Sequence, residues 1–100
     1  MPHLSEYALD AYVTDTLMRD LVGHDRRPVS FLVYVWLTAE QQRRGEAVTV
    51  SYADIAESIG ISKSSAQSAV SWLLRRKLLT VKKATVTATP RYTVQCPWKR

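Results

Sequence analysis

The run FLVYVWL, residues 31–37, puts apolar or aromatic side chains on every side of whatever element it forms. Such an element cannot lie on a surface, and has to be covered from more than one direction. Its β-branched residues would also suit a buried strand. The segment is longer than one strand, however: it starts at Pro28, a residue at home in a first helical turn, and continues through the polar tail AEQQRR to a glycine stop at Gly45. That length favours a helix. A chain of 100 residues makes one domain, so residues 1–100 are expected to wrap a single core around this central helix.

The covering elements can be read from spacing. Leu9, Val13, Leu17 and Leu21 recur every fourth residue beside Tyr12, which predicts an amphipathic helix over residues 5–23, capped by Ser5 and ending at Gly23. AVTV, residues 47–50, reads as a very short strand. Ser51 and Asp54 have capping-box spacing for a helix that turns Ile55, Ala56 and Ile59 inward and closes at Gly60. Ser62 caps the helix that follows. Beyond Arg76 the period falls to two: Leu79, Val81, Tyr92 and Val94 alternate with Thr80, Lys82, Arg91 and Thr93. These are two strands of a hairpin with its tip in ATVTATP. The expected fold is mainly α with a small β-hairpin, in the order α-α-β-α-α-β-β.

Charge is distributed unevenly. Residues 1–25 carry Glu6, Asp10, Asp15, Asp20 and Asp25 against Arg19, whereas after Glu57 there is no acid at all and nine lysines and arginines. A basic half of this kind suits a polyanion, nucleic acid ahead of an anionic membrane, or else a solvated face that serves solubility. No apolar run approaches the roughly 20 residues that span a bilayer, and the start of the chain lacks the basic-then-apolar order of a signal peptide. A cytoplasmic protein without membrane partners is expected. Cys96 is a single cysteine, read as a small half-buried apolar residue; with only His3 and His24 beside it, no metal or other cofactor is expected.

GISKSSAQSAVSWLLRRKLL, residues 60–79, concentrates serines that do little for helix propensity. On a helix, residues 63–76 place Ala66, Ala69, Val70 and Leu73 on one arc and Ser64, Ser68, Ser71 and Arg75 on the other, flanked by Gln67, Trp72 and Ser65. The outer face is thin and offers a donor and an acceptor at each serine. It would allow close approach to a surface rich in hydrogen-bonding groups, such as the major groove of DNA, or it is plain solvent-exposed filler.

The context of this helix favours the groove. A short helix, the turn GIS and a second helix with small inner residues make a helix-turn-helix arrangement. DIAESIGISKSSAQSAVSWLLRRKLL, residues 54–79, resembles the centre of winged helix-turn-helix regulators of the MarR and GntR type. Ile55, Ala56, Ile59, Gly60, Ile61, Ser62, Ala69, Val70, Leu73, Leu78 and Leu79 stand where that pattern wants them. The similarity extends over about residues 28–95, with residues 5–23 as an extra N-terminal helix. There are two departures. Lys77 occupies a position often held by glycine, so a lysine has to take a left-handed conformation. Ala66 stands where a larger aliphatic residue is usual.

The resemblance implies that the helix from Lys63 is the recognition helix. Lys63, Ser64, Gln67 and Ser68 are then the residues for base edges and nearby phosphates, with Gln67 the best reader because an amide can bond both N6 and N7 of adenine. Ser62 and Ser65 would suit a phosphate at the helix start, and Ser71 and Arg75 the backbone further along. Lys82, Lys83 and Arg91 resemble wing residues that grip phosphate or the minor groove. Arg76 is better explained by the negative end of the helix. Trp36 reads as core; Trp72 and Trp98 read first as local packing, with docking or stacking as alternatives.

The expected function is therefore sequence-specific binding of double-stranded DNA by a transcriptional regulator. It would act as a homodimer through the N-terminal helix, unless that helix only covers the central one. A replication-initiation or partition protein could use the same fold, and a winged helix devoted to protein contacts is a third reading. Enzymatic activity is not expected: the basic half lacks a carboxylate pair, there is no glycine-rich phosphate loop, and the serines have no base beside them.

Overall fold

Pro28 opens the central helix, α1 (Pro28–Arg44), and Gly45 closes it in a left-handed conformation at φ 70°, its N–H bonded to the Gln41 carbonyl at 2.9 Å. The computed structural model describes residues 6–99. Within α1, Val33, Tyr34 and Leu37 are completely buried. The cover comes from the N-terminal helix, two further helices and a sheet, as the all-round apolar run requires. Leu32 is the exception, half exposed on a side that none of the described residues covers.

The N-terminal helix departs from expectation in its start and in its winding. Ser5, the expected cap, lies outside the described residues. Asp10 does the capping: its carboxylate accepts from the N–H of Tyr12 and its carbonyl from the N–H of Val13, both at 2.9 Å. The bond from Tyr12 holds the Asp10 carboxyl below its ordinary pKa. Leu9 therefore precedes the helix and is exposed. From Val13–Leu17 and Arg19–His24 the turns are π-type rather than α, with the N–H of Met18 bonded to Val13 and that of Asp25 to Asp20, five residues back. Thr14 contributes to this winding, because its hydroxyl donates to the Ala11 carbonyl that an α-turn would use. Val13, Leu17 and Leu21 still face the core.

After α1 comes β1 (Val48–Thr49), then α2 (Tyr52–Ile59), α3 (Lys63–Arg75), β2 (Leu79–Lys82) and β3 (Arg91–Val94). The capping box at the head of α2 is complete: Ser51 Oγ accepts from the N–H of Asp54 at 3.1 Å, and Asp54 Oδ2 accepts from the N–H of Ser51 at 3.2 Å. The three strands form one antiparallel sheet in the order β1-β3-β2. Leu79 pairs with Val94 and Val81 with Tyr92, in the alternation expected of the hairpin. Leu79 and Tyr92 are buried. Val81 is exposed, because β2 runs past the edge of the core as it leaves for the hairpin tip.

Small residues set how closely α1 and α3 approach. Ala66 and Ala69 of α3 are buried, and Ser30 of α1 donates its hydroxyl to the Ala69 carbonyl at 3.3 Å. A larger side chain at Ala69 would force the helices apart. Trp36 lies half-buried at the rim of this core rather than in its centre. Tyr12 and Trp98 stack at 4.4 Å between centroids, which ties the C-terminal residues to the N-terminal helix. The result is a mostly helical domain with a small antiparallel sheet. No helix among the described residues is long and apolar enough to cross a membrane.

Candidate nucleic-acid interface

The geometry of α3 begins at Gly60, which ends α2 at φ 88°, a conformation that costs a residue with a Cβ. The N–H groups of Gly60 and Ile61 both bond to the Ala56 carbonyl, at 2.8 and 3.0 Å. The chain thus reverses tightly and restarts at Ser62. Along α3, Ala66, Ala69, Val70 and Leu73 point into the core, and Lys63, Ser64, Gln67, Ser68, Ser71 and Arg75 are exposed, the division that the arcs predict.

The serines at the head of α3 are tied to one another. Ser62 Oγ accepts from the N–H of Ser65 at 3.1 Å and donates to the Ser65 hydroxyl at 2.8 Å, and the Ser64 hydroxyl lies 3.2 Å away. With its one proton given to Ser65, Ser62 accepts from Ser64, so its own hydroxyl is spent on the cap. Ser65, half-buried, keeps a proton to donate outward. Of the two serines expected at this helix start, Ser62 thus has its hydroxyl occupied by the cap, and Ser65 keeps a donor.

Further along, Trp72 organises a cluster that spacing along one helix does not reveal. Its indole Nε1 donates to Asp25 Oδ2 at 3.0 Å, and the guanidinium of Arg27 lies over its ring at 4.5 Å, with that of Arg75 at 5.6 Å. Asp25 also takes an ion pair from Arg76 at 3.1 Å and bonds His24 at 2.9 Å, with only 4% of its side chain exposed. Burial pushes the Asp25 carboxyl up, but the bonds from His24 and Trp72 and the charge of Arg76 outweigh it and hold the group below its ordinary pKa. Arg76 is therefore fixed by a carboxylate, not by the helix end alone. Asp25 and Arg27 were the residues that sequence reasoning missed. The available signal was the charged corner HDRR ahead of Pro28, with a tryptophan on the flank of a later helix.

In the hairpin, Lys82 of β2 sits directly opposite Arg91 of β3, a like-charge pair that costs stability unless an anion meets it. Arg91 is partly neutralised: its guanidinium pairs with Glu46 Oε1 at 3.2 Å. Lys83 folds back, donating to the Val86 carbonyl at 3.3 Å, at the start of the exposed tip. All three cations are exposed, as expected.

No protein-family model, no curated protein and no solved structure matches the chain. Chemically, the described residues present a thin hydroxyl-and-amide face on α3, a cluster of guanidiniums beside it, and cations on a hairpin. These are groups that bind a polyanion with hydrogen-bonding edges.

Proposed function

We propose that this chain is a winged helix-turn-helix protein that binds double-stranded DNA at specific sequences and regulates transcription as a dimer. The observation that carries this reading is the α2–turn–α3 unit. Gly60 and the Ser62 cap lock the reversal, and α3 buries only small or aliphatic residues while Ser64, Gln67 and Ser68 stand free of the core. A helix so thin on its outer side can enter the major groove, which admits one helix and displays the acceptors and donors that an amide and hydroxyls can read. β2 and β3 then serve as the wing, with Lys82, Lys83 and Arg91 against the sugar-phosphate backbone.

One such unit makes few base contacts, and a two-fold dimer doubles them on half-sites about 34–36 Å apart. Met18 and Val22, four residues apart on the outer side of the N-terminal helix, are each 40% exposed and offer an apolar contact for a second copy.

The test is retention of fragmented genomic DNA from the source organism in a gel shift, with sequencing of the retained fragments. The expected result is a shared motif with two-fold symmetry. No retention at low salt would remove the DNA reading altogether, and retention without a motif would remove its sequence specificity.

A further inference from the structure

The corner that precedes α1 meets the outer face of α3, and the groups collected there are more than a solvated basic patch. Two like charges, Arg27 and Arg75, are gathered over a single indole, an arrangement that mutual repulsion opposes. The indole ring attracts both cations, and Asp25 fixes the indole at its edge through its Nε1–H. Because Asp25 is itself buried and bonded to Arg76 and His24, it anchors the ring without filling the space in front of it.

That space is an open cleft of about 200 Å³ lined by Arg27, Ser68, Ser71, Trp72 and Arg75. A second open cleft, about 220 Å³, adjoins it through Arg27 and Ser68 and adds Arg26 and Ser65. Among the described residues no acidic side chain lines either cleft. Arg26 holds φ at 56°, a strained conformation for a side chain of its size, where the chain turns to bring Arg27 to the ring.

We propose that Arg27 and Arg75, held on Trp72, clamp a backbone phosphate of duplex DNA in this cleft, with the Ser68 and Ser71 hydroxyls as further donors. The proposal rests on the DNA-binding reading and adds to it Arg27, a phosphate ligand from the corner before α1, outside both the helix-turn-helix unit and the hairpin, joined through Trp72 to Arg75 of α3. A guanidinium offers paired N–H donors that match two phosphate oxygens, and stacking on an indole pre-orients that fork. Both clefts are open along the exposed line of α3, which suits a strand lying beside the helix better than an enclosed small molecule.

The experiment measures fluorescence anisotropy of a labelled mixed-sequence duplex against wild-type protein, Arg27→Ala, Arg27→Lys and Arg19→Ala, the last removing the same charge from the acidic N-terminal helix. Loss of one phosphate contact lowers the slope of log K against log salt by about 0.9, so the deficit of Arg27→Ala narrows about threefold between about 50 and about 200 mM salt. Arg27→Lys keeps the slope but binds more weakly, and Arg19→Ala matches wild type. An unchanged slope in Arg27→Ala, or an equal fall in Arg19→Ala, overturns the clamp while leaving the DNA reading intact. If the wild type binds no duplex, the DNA reading fails first.

A second measurement separates the source of the phosphate. The Trp72 indole Nε1–H resonance should move with the duplex and stay still with inorganic phosphate at low millimolar concentration. Movement with inorganic phosphate alone would overturn the duplex assignment in favour of a free phosphorylated ligand.

Discussion

The hydroxyl of Tyr34, at the centre of α1, donates to the backbone carbonyl of Gln95 at 2.9 Å, joining the most buried helix to the chain just past β3. Burial of Tyr34, together with the Cys96 thiol beside it, raises its phenol well above the ordinary value of 10.0, and burial raises that of Tyr92 likewise, with Tyr52 adding to it. Both phenols are neutral in the folded and unfolded chain below pH 10. Above it, the unfolded chain releases protons that the folded chain retains, so stability is full below pH 10 and falls as pH rises, by up to about 1.4 kcal/mol per pH unit for each tyrosine. Tyr34→Phe should cost about 1 kcal/mol at pH 7 through the lost bond to Gln95. It should also roughly halve the alkaline slope measured by urea unfolding between pH 9.5 and 11. A slope unchanged by the substitution would mean that Tyr34 ionises as freely in the fold as outside it.

Lys77 sits at φ 61°, where α3 ends in two bonds that run from the N–H of Leu78 to the Leu73 carbonyl at 2.9 Å and from the N–H of Lys77 to the Leu74 carbonyl at 3.1 Å. That pattern requires a left-handed residue, and glycine takes it without strain. Removing the lysine Cβ recovers about 1–2 kcal/mol of strain and gives back about 0.4–1 kcal/mol as unfolded-chain entropy. Lys77→Gly should therefore stabilise the domain by roughly 0.5–1 kcal/mol in urea unfolding, whereas Lys77→Ala, which keeps the Cβ, should not. Equal effects of the two would show that the strain is relieved elsewhere.

What could be read from the sequence divides by range. The capping box at Ser51 and Asp54, the Ser62 cap and the stops at Gly45 and Gly60 each involve a few consecutive residues, so local chemistry dictates them, whereas the left-handed Lys77 was legible only through the resemblance. The inward arc of α3 was equally legible, because helical period alone assigns Ala66, Ala69, Val70 and Leu73 to one side. Asp25 shows where this ends. Within an acidic N-terminal stretch it reads as one more outward carboxylate, yet it is buried because Trp72, 47 residues on, packs against that corner. The approach of Arg27 to the same ring does not follow from spacing either, since it depends on how the corner before α1 meets α3. The residues expected to face DNA follow from the face they share and from a resemblance, whereas the guanidinium cluster beside them needed coordinates.

Within the α3 face, structural and reading roles should separate. Ser62→Ala removes the cap and should cost about 1 kcal/mol of stability, weakening every duplex alike. Ser64 and Gln67 are exposed, so alanine at both should leave thermal unfolding nearly unchanged. On the binding side, Gln67 alone should carry about 1–3 kcal/mol of discrimination between the selected site and random DNA. Alanine at Lys82 and Lys83 should weaken both DNAs about equally and lower the salt slope by roughly 2. Anisotropy with paired cognate and random duplexes reads all of these. Equal losses on the two DNAs from the Ser64 and Gln67 pair would mean that other residues read the bases.

The Arg91–Glu46 pair gives a prediction of opposite sign. Both side chains are largely exposed, so their bond at 3.2 Å contributes less than about 1 kcal/mol to stability. Glu46 nevertheless neutralises one of two cations that face each other across β2 and β3, and under the DNA reading it competes with phosphate for Arg91. Glu46→Gln should leave the unfolding midpoint close to wild type and tighten binding to any duplex several-fold, with a salt slope steeper by about 0.9. Arg91→Ala should weaken binding, and adding Glu46→Gln to it should then have little effect, because the carboxylate acts through that guanidinium. If Glu46→Gln leaves affinity unchanged, Arg91 meets no phosphate and the hairpin grips DNA through its lysines alone.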